Sequence, residues 1–122
     1  CGSGTVFFSG CTLKCEFCQN FQISTQGLGK PHTVPEVVQR LVELHHTQGI
    51  HNVNFVTPDH FSPHCWHIVQ ELREHNISIP AVYNLSGYTS VDMLRVTEPF
   101  ADIYLPDFKY ADRQLAQQLS NC

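Results

Sequence analysis

Four short runs rich in β-branched and aromatic residues alternate with helical patterns, and this alternation limits the chain to few folds. The runs cover residues 5–9, 52–57, 79–84 and 102–106 and have the length and composition of buried strands. A β-α-β-α order predicts parallel strands joined by right-handed helical crossovers. The expected fold class is therefore α/β, either a piece of a (β/α) barrel or an open doubly wound sheet.

Helix-start signals follow each predicted strand. In the first helix a capping box precedes apolar residues on one face, and Gly49 ends the segment. The second helix runs to Asn76, and two shorter helices follow it. The start signals of the first three helices are Thr33 with Glu36, Ser62 with Pro63, and Thr89 with Asp92. The fourth helix is indicated by the spacing of Leu115, Ala116 and Leu119.

Size and charge exclude several kinds of partner. The 122 residues, 42% of them hydrophobic, suit one domain, and only seven are Lys or Arg, with a formal net charge of −4. No basic run is present to bind nucleic acid or an anionic membrane surface, and no apolar run is long enough to span a bilayer. We predict a cytoplasmic protein. Because the chain starts at Cys1 and stops just after a helix pattern, we expect a fragment.

Three cysteines lie within eight residues directly after the first predicted strand. Cys11, Cys15 and Cys18 follow a Cys-x3-Cys-x2-Cys spacing, so one loop can wrap their thiols around a single inorganic centre. A four-iron cluster held by only three thiolates leaves one iron open to a substrate or cofactor, whereas electron-transfer ferredoxins generally supply a fourth cysteine. The sequence therefore favours an iron-sulfur cluster with an open iron.

Other readings of the cysteines and histidines are weaker. A structural zinc site would need the three thiols and a histidine such as His32, but no second closely spaced ligand pair lies nearby. A disulfide-stapled domain would not need regular helix patterns. His60, His64 and His67 form a candidate metal triad, but histidines near a helix start are commonly solvated.

The chain resembles the radical S-adenosylmethionine (SAM) superfamily, whose signature has the same cysteine spacing and an aromatic residue before the last cysteine, here Phe17. It resembles more narrowly the pyruvate formate-lyase activating enzyme-like branch. That resemblance implies a partial (β/α)6 barrel, of which residues 1–122 would form the N-terminal portion of the core domain, about the first four βα units. The stretches that carry the resemblance are GCTLKCEFCQN (10–20), NFVTP (54–58), YNLSGY (83–88) and DIYLPDFK (102–109).

The resemblance also implies a role for each matching position. The three cysteines would hold three irons of a 4Fe-4S cluster, SAM would chelate the fourth, and Phe17 would lie against the adenine. Thr57 and Asp59 stand where the family often has Gly-Gly-Glu, which receives the SAM amino group. Asn84 and Asp107 would lie beside the SAM carboxylate and a monovalent cation, although Asn84 replaces an acidic residue of those relatives.

The implied reaction is reductive cleavage of SAM to a 5′-deoxyadenosyl radical that removes hydrogen from a substrate. In the named branch that substrate is a backbone glycine of a partner protein, and a flavodoxin or ferredoxin would donate the electron. The cofactor carries this chemistry, so the resemblance nominates no protein acid, base or nucleophile as catalytic. A zinc-stabilised module and an electron-transfer iron-sulfur protein are the alternative functions.

Overall fold

A computed structural model describes residues 2–122 and shows one four-stranded sheet. All neighbouring strands pair in parallel, and their spatial order is the order of the chain. The strands are β1 (Gly2–Phe7), β2 (Ile50–Val56), β3 (Ala81–Leu85) and β4 (Ile103–Pro106). The helices are α1 (Phe21–Ser24), α2 (Val34–Gln48), α3 (Ser62–Glu74), α4 (Val91–Thr97) and α5 (Arg113–Ser120), with 3₁₀ turns at Pro58–Phe61 and Glu98–Phe100.

The sequential strand order distinguishes the two predicted architectures. A doubly wound sheet reverses its strand order and places helices on both faces, whereas here each crossover moves to the next strand in the same direction. Right-handed crossovers in one direction leave their helices on one face, and α2 packs against both β1 and α3. The fold is therefore the α/β partial barrel that the sequence predicted.

The hydrophobic core lies between the sheet and α2 and α3. Val53 pairs with Ala81, and Phe55 with Tyr83, so these side chains point to the same face, where they are fully buried. Cys65 on α3 is also buried in this core, as its helical spacing predicted. Burying a side chain such as Phe55 contributes roughly 1.5–3 kcal/mol, so this layer anchors the strand ends that carry polar residues.

Residues 103–106 form a strand as predicted, but within the described residues this strand is not buried. β4 lies at one end of the four described strands, and Ile103 and Leu105, on the face opposite the core, are 45% and 49% exposed. An apolar run predicts a strand but not which neighbours cover it. The limits of the strands differ from the predicted ones by at most three residues, because ladder hydrogen bonds rather than composition determine where pairing begins and ends.

The structure confirms the predicted starts of α2 and α3, although only α2 has the predicted cap. The Thr33–Glu36 capping box begins α2, and Gly49, with φ of 62°, ends it. The cap of α4 is Ser90, whose hydroxyl accepts from the Met93 N–H, and not Thr89 as predicted. Both residues suit a cap by type, but the Thr89 hydroxyl donates to Asp59 instead. The short helix α1 was not predicted.

Candidate metal centre

Cys11, Cys15 and Cys18 lie on the loop that follows β1, and their side chains line one pocket at the carboxyl end of the sheet. All three residues are partly buried. Side chains from the ends of the other three strands line the same pocket, since parallel strands end at one edge of a sheet. The cysteine loop thus faces the polar strand ends across a single space.

Each thiol has a hydrogen-bond donor near it. The Leu13 backbone N–H supports Cys11, the Ser120 hydroxyl donates to the Cys15 sulfur at 2.9 Å, and the Ser24 hydroxyl lies 3.1 Å from the Cys18 sulfur. Donors of this kind stabilise the thiolate form, which is the form that binds metal. Ser24 lies at the end of α1, and neither it nor Ser120 was identified from the sequence.

Burial raises the pKa of the Cys11 thiol, and the negative charges of Cys15, Asp59 and Cys18 raise it further. The hydrogen bond from Leu13 acts in the opposite direction without cancelling them. Three thiolates close together in a partly buried site repel one another, and a bound cationic centre relieves that repulsion. The electrostatics of the loop therefore suit a metal centre better than three free thiolates.

The donor set fits an iron-sulfur cluster. Within residues 2–122, no three His, Cys, Asp or Glu side chains are close enough together to hold a single metal ion, and this is true of the three cysteines as well as of His60, His64 and His67. Cys65 lies in the core and the Cys122 thiol lies near the Ala116 carbonyl, so in this part of the chain no fourth cysteine lines the pocket. Three thiols on one loop, with no fourth cysteine of the described chain beside them, match the ligand set of a cluster that keeps one iron open.

Thr57, Asn84 and Asp107 line the same pocket as the cysteines. Thr57 has a φ of 52°, an outlier for a β-branched residue, and its N–H donates to the Asn84 carbonyl at 2.9 Å. Residues held in such conformations cluster at ligand-binding sites, where surrounding contacts maintain the strain. The structure therefore brings three of the sequence-predicted cofactor residues to the cysteines.

Lys109 also lines the pocket, although it was not among the predicted cofactor-binding residues. Its side chain is 21% exposed and forms an ion pair with Asp107. Burial lowers the pKa of the ammonium, but the Asp107 hydrogen bond and charge, with Cys15 and Cys11, outweigh burial and raise the pKa above its usual value. Lys109 therefore brings a positive charge to a site rich in potential anions.

Asp59 does not line the pocket, but its side chain forms hydrogen bonds to the loop that follows β3. Its carboxylate accepts from the Ser86 N–H at 3.1 Å, from the Ser86 hydroxyl at 2.8 Å and from the Thr89 hydroxyl. These donors occupy both carboxylate oxygens. Contact between Asp59 and the SAM amino group stays a prediction, while its contacts in this structure hold residues 86–89 in place.

Asp59→Asn is expected to lower the free energy of unfolding by about 2 kcal/mol. The amide can turn its oxygen toward the two hydroxyls, but its NH2 group then faces the Ser86 N–H and leaves that donor unpaired. Urea denaturation measures the change. The control is Asp92→Asn, since Asp92 forms an exposed pair with Arg95. Equal losses in the two variants would contradict the bracing role.

Phe17 lies outside the pocket. Its ring is 53% exposed and meets the Tyr110 ring edge-on, with 6.1 Å between centroids. It remains on the cysteine loop directly before Cys18, so stacking against an adenine stays a prediction from the resemblance. Among the predicted site residues, Phe17 therefore has no contact in this structure that supports its predicted role.

The fold and the cysteine loop define the class of protein. Residues 5–112 match the family described as the Radical SAM superfamily, and the chain belongs to that superfamily. Over 97% of its length it is 34% identical to an uncharacterized protein of Methanocaldococcus jannaschii. The chain spans only 36% of that relative's length, and the match adds no activity. No helix within residues 2–122 has the length and apolarity needed to cross a membrane.

Proposed function

We propose that this chain is the cluster-binding and SAM-binding part of a radical SAM enzyme. Cys11, Cys15 and Cys18 would hold three irons of a 4Fe-4S cluster, with SAM on the fourth. When bound, the reduced cluster and SAM supply a 5′-deoxyadenosyl radical that removes hydrogen from a substrate. The observation that carries the proposal is the single pocket shared by three partly buried thiols and the polar ends of the other strands.

The polar strand ends have the chemistry to orient SAM. The Asn84 amide and the Lys109 ammonium are donors suited to a carboxylate, and the Thr57 hydroxyl and Asp107 carboxylate are acceptors suited to an ammonium. Asn84 and Asp107 also offer the oxygen ligands that a monovalent cation requires. Phe17 and Asp59 lie outside the pocket and complete the proposed set. Phe17 would stack against the adenine, and Asp59 would act by holding the loop of residues 86–89 in place.

The pyruvate formate-lyase activating enzyme-like branch is the finer part of the proposal. Its support is the four sequence stretches that resemble that branch, since the family match extends only to the superfamily. On this proposal the chain is the N-terminal portion of the core domain of a cytoplasmic protein. A flavodoxin or ferredoxin would reduce it, and its substrate would be a glycine of a partner protein.

The test is electron paramagnetic resonance of the anaerobically reconstituted, dithionite-reduced full-length protein, recorded with and without SAM. We expect a reduced-cluster signal that changes when SAM is added, because SAM would bind directly to the open iron. A cluster signal indifferent to SAM would favour electron transfer. Stoichiometric zinc with no cluster signal would favour the structural zinc module and overturn the proposal.

A further inference from the structure

Ser120, the last residue of α5, lies at the cysteine loop although it is 105 positions from Cys15 in the chain. Its side chain is 0% exposed, and its hydroxyl donates to the Cys15 sulfur at 2.9 Å. The Tyr110 hydroxyl forms a hydrogen bond with the same Ser120 oxygen. The hydroxyl groups of Tyr110 and Ser120 therefore form a hydrogen-bonded chain that ends at the sulfur of Cys15, a candidate cluster ligand.

The direction of these hydrogen bonds follows from the chemistry of the groups. A metal-bound Cys15 thiolate has no proton, so Ser120 must use its only O–H as the donor to sulfur. Its oxygen lone pairs are then free to accept from Tyr110. A hydroxyl that accepts one hydrogen bond becomes a stronger donor of another, so Tyr110 strengthens the bond between Ser120 and Cys15.

Backbone contacts fix this arrangement on both sides of Cys15. The Lys14 N–H donates to the Ser120 carbonyl at 3.2 Å, and the Glu16 N–H donates to the Leu119 carbonyl at 3.0 Å. The end of α5 thus uses carbonyls that have no partner within the helix to hold the loop. The corresponding donors beside the other two cysteines are closer in the chain. Ser24, beside Cys18, is only partly buried, and the Leu13 N–H lies two residues from Cys11.

We propose that Ser120, supported by Tyr110, is a positioning residue that raises the reduction potential of the cluster bound through Cys15. This inference rests on the proposed function, because it requires the cluster. Reduction adds one electron, and part of the added negative charge resides on the ligand sulfurs. A buried hydroxyl donor to one of these sulfurs stabilises the reduced form more than the oxidised form.

The experiment is a redox titration of the reconstituted full-length protein without SAM, followed by electron paramagnetic resonance. In Ser120→Ala we expect the ratio of reduced to oxidised cluster at a fixed potential to fall about tenfold, which corresponds to about 59 mV for a one-electron couple. Tyr110→Phe keeps the ring and should shift the ratio in the same direction, about threefold. The control, Tyr104→Phe, removes a phenolic hydroxyl that has no hydrogen-bond partner in the described chain.

A second measurement separates a redox role from a purely structural one. Pulsed electron-nuclear double resonance of the reduced cluster should detect a hyperfine coupling to the Ser120 hydroxyl proton. This proton signal should be lost after exchange into D2O, and it should be absent from Ser120→Ala. If Ser120→Ala does not retain its cluster, Tyr110→Phe decides the question alone. Potentials equal to that of Tyr104→Phe would overturn the inference, whereas a wild-type protein that forms no cluster would overturn the proposed function itself.

Discussion

Cys18→Ala is expected to abolish cluster binding, reducing the iron content from about four atoms per chain to near zero. In the proposed site only three thiolates would hold the cluster, so loss of one would leave two irons without a protein ligand. Cys18 gives the clearest test because its nearest partner, Ser24, is partly exposed and can bond to water once the sulfur is gone. Iron and sulfide analysis and the reduced-cluster resonance signal measure the effect.

Cys122→Ala provides the matched control for this loss. Cys122 is also partly buried, but its thiol is near the Ala116 carbonyl and does not line the pocket. We expect its iron content to equal that of the wild-type protein. A Cys18→Ala protein that retains a full cluster would show that another group is the ligand and would remove the basis of the proposed function.

Gly87→Ala is expected to weaken SAM binding at least tenfold and to lower the free energy of unfolding by about 3 kcal/mol. Gly87 has a φ of 83°, which disfavours any side chain. A Cβ atom there would also lie 2.2 Å from the Asp107 carbonyl oxygen, so the β3 and β4 loops would have to separate. Asp107 and Asn84 would then no longer face the cysteines in the same geometry.

Gly49→Ala separates backbone strain from the steric clash. Gly49 has a φ of 62°, but a Cβ atom there would meet nothing within 4 Å. We expect this variant to lose only about 1 kcal/mol and to bind SAM normally. Urea denaturation and calorimetric titration with SAM measure the two properties. Similar SAM affinities for both variants would show that the contact between Gly87 and Asp107 does not support the binding site.

Local patterns in the sequence were sufficient for the α/β class and the β-α alternation, whereas the strand order decided between the two architectures. Strand composition, the Thr33–Glu36 capping box and the helical spacing around Cys65 each depend on residues close together in the chain, so they can be read without a structure. Propensity could not choose between Thr89 and Ser90 as the cap of α4, because the choice depends on Asp59, thirty positions earlier in the chain.

The amino-acid sequence by itself determined the cysteine spacing, the β-α alternation and the superfamily resemblance, because these are properties of neighbouring residues. Only the tertiary structure decided which distant groups meet. It adds Lys109 to the pocket that the predicted Thr57, Asn84 and Asp107 line, and α5 carries Ser120 to Cys15. Such contacts depend on strand order and helix packing, which join residues far apart in the chain and leave no periodic signal within it.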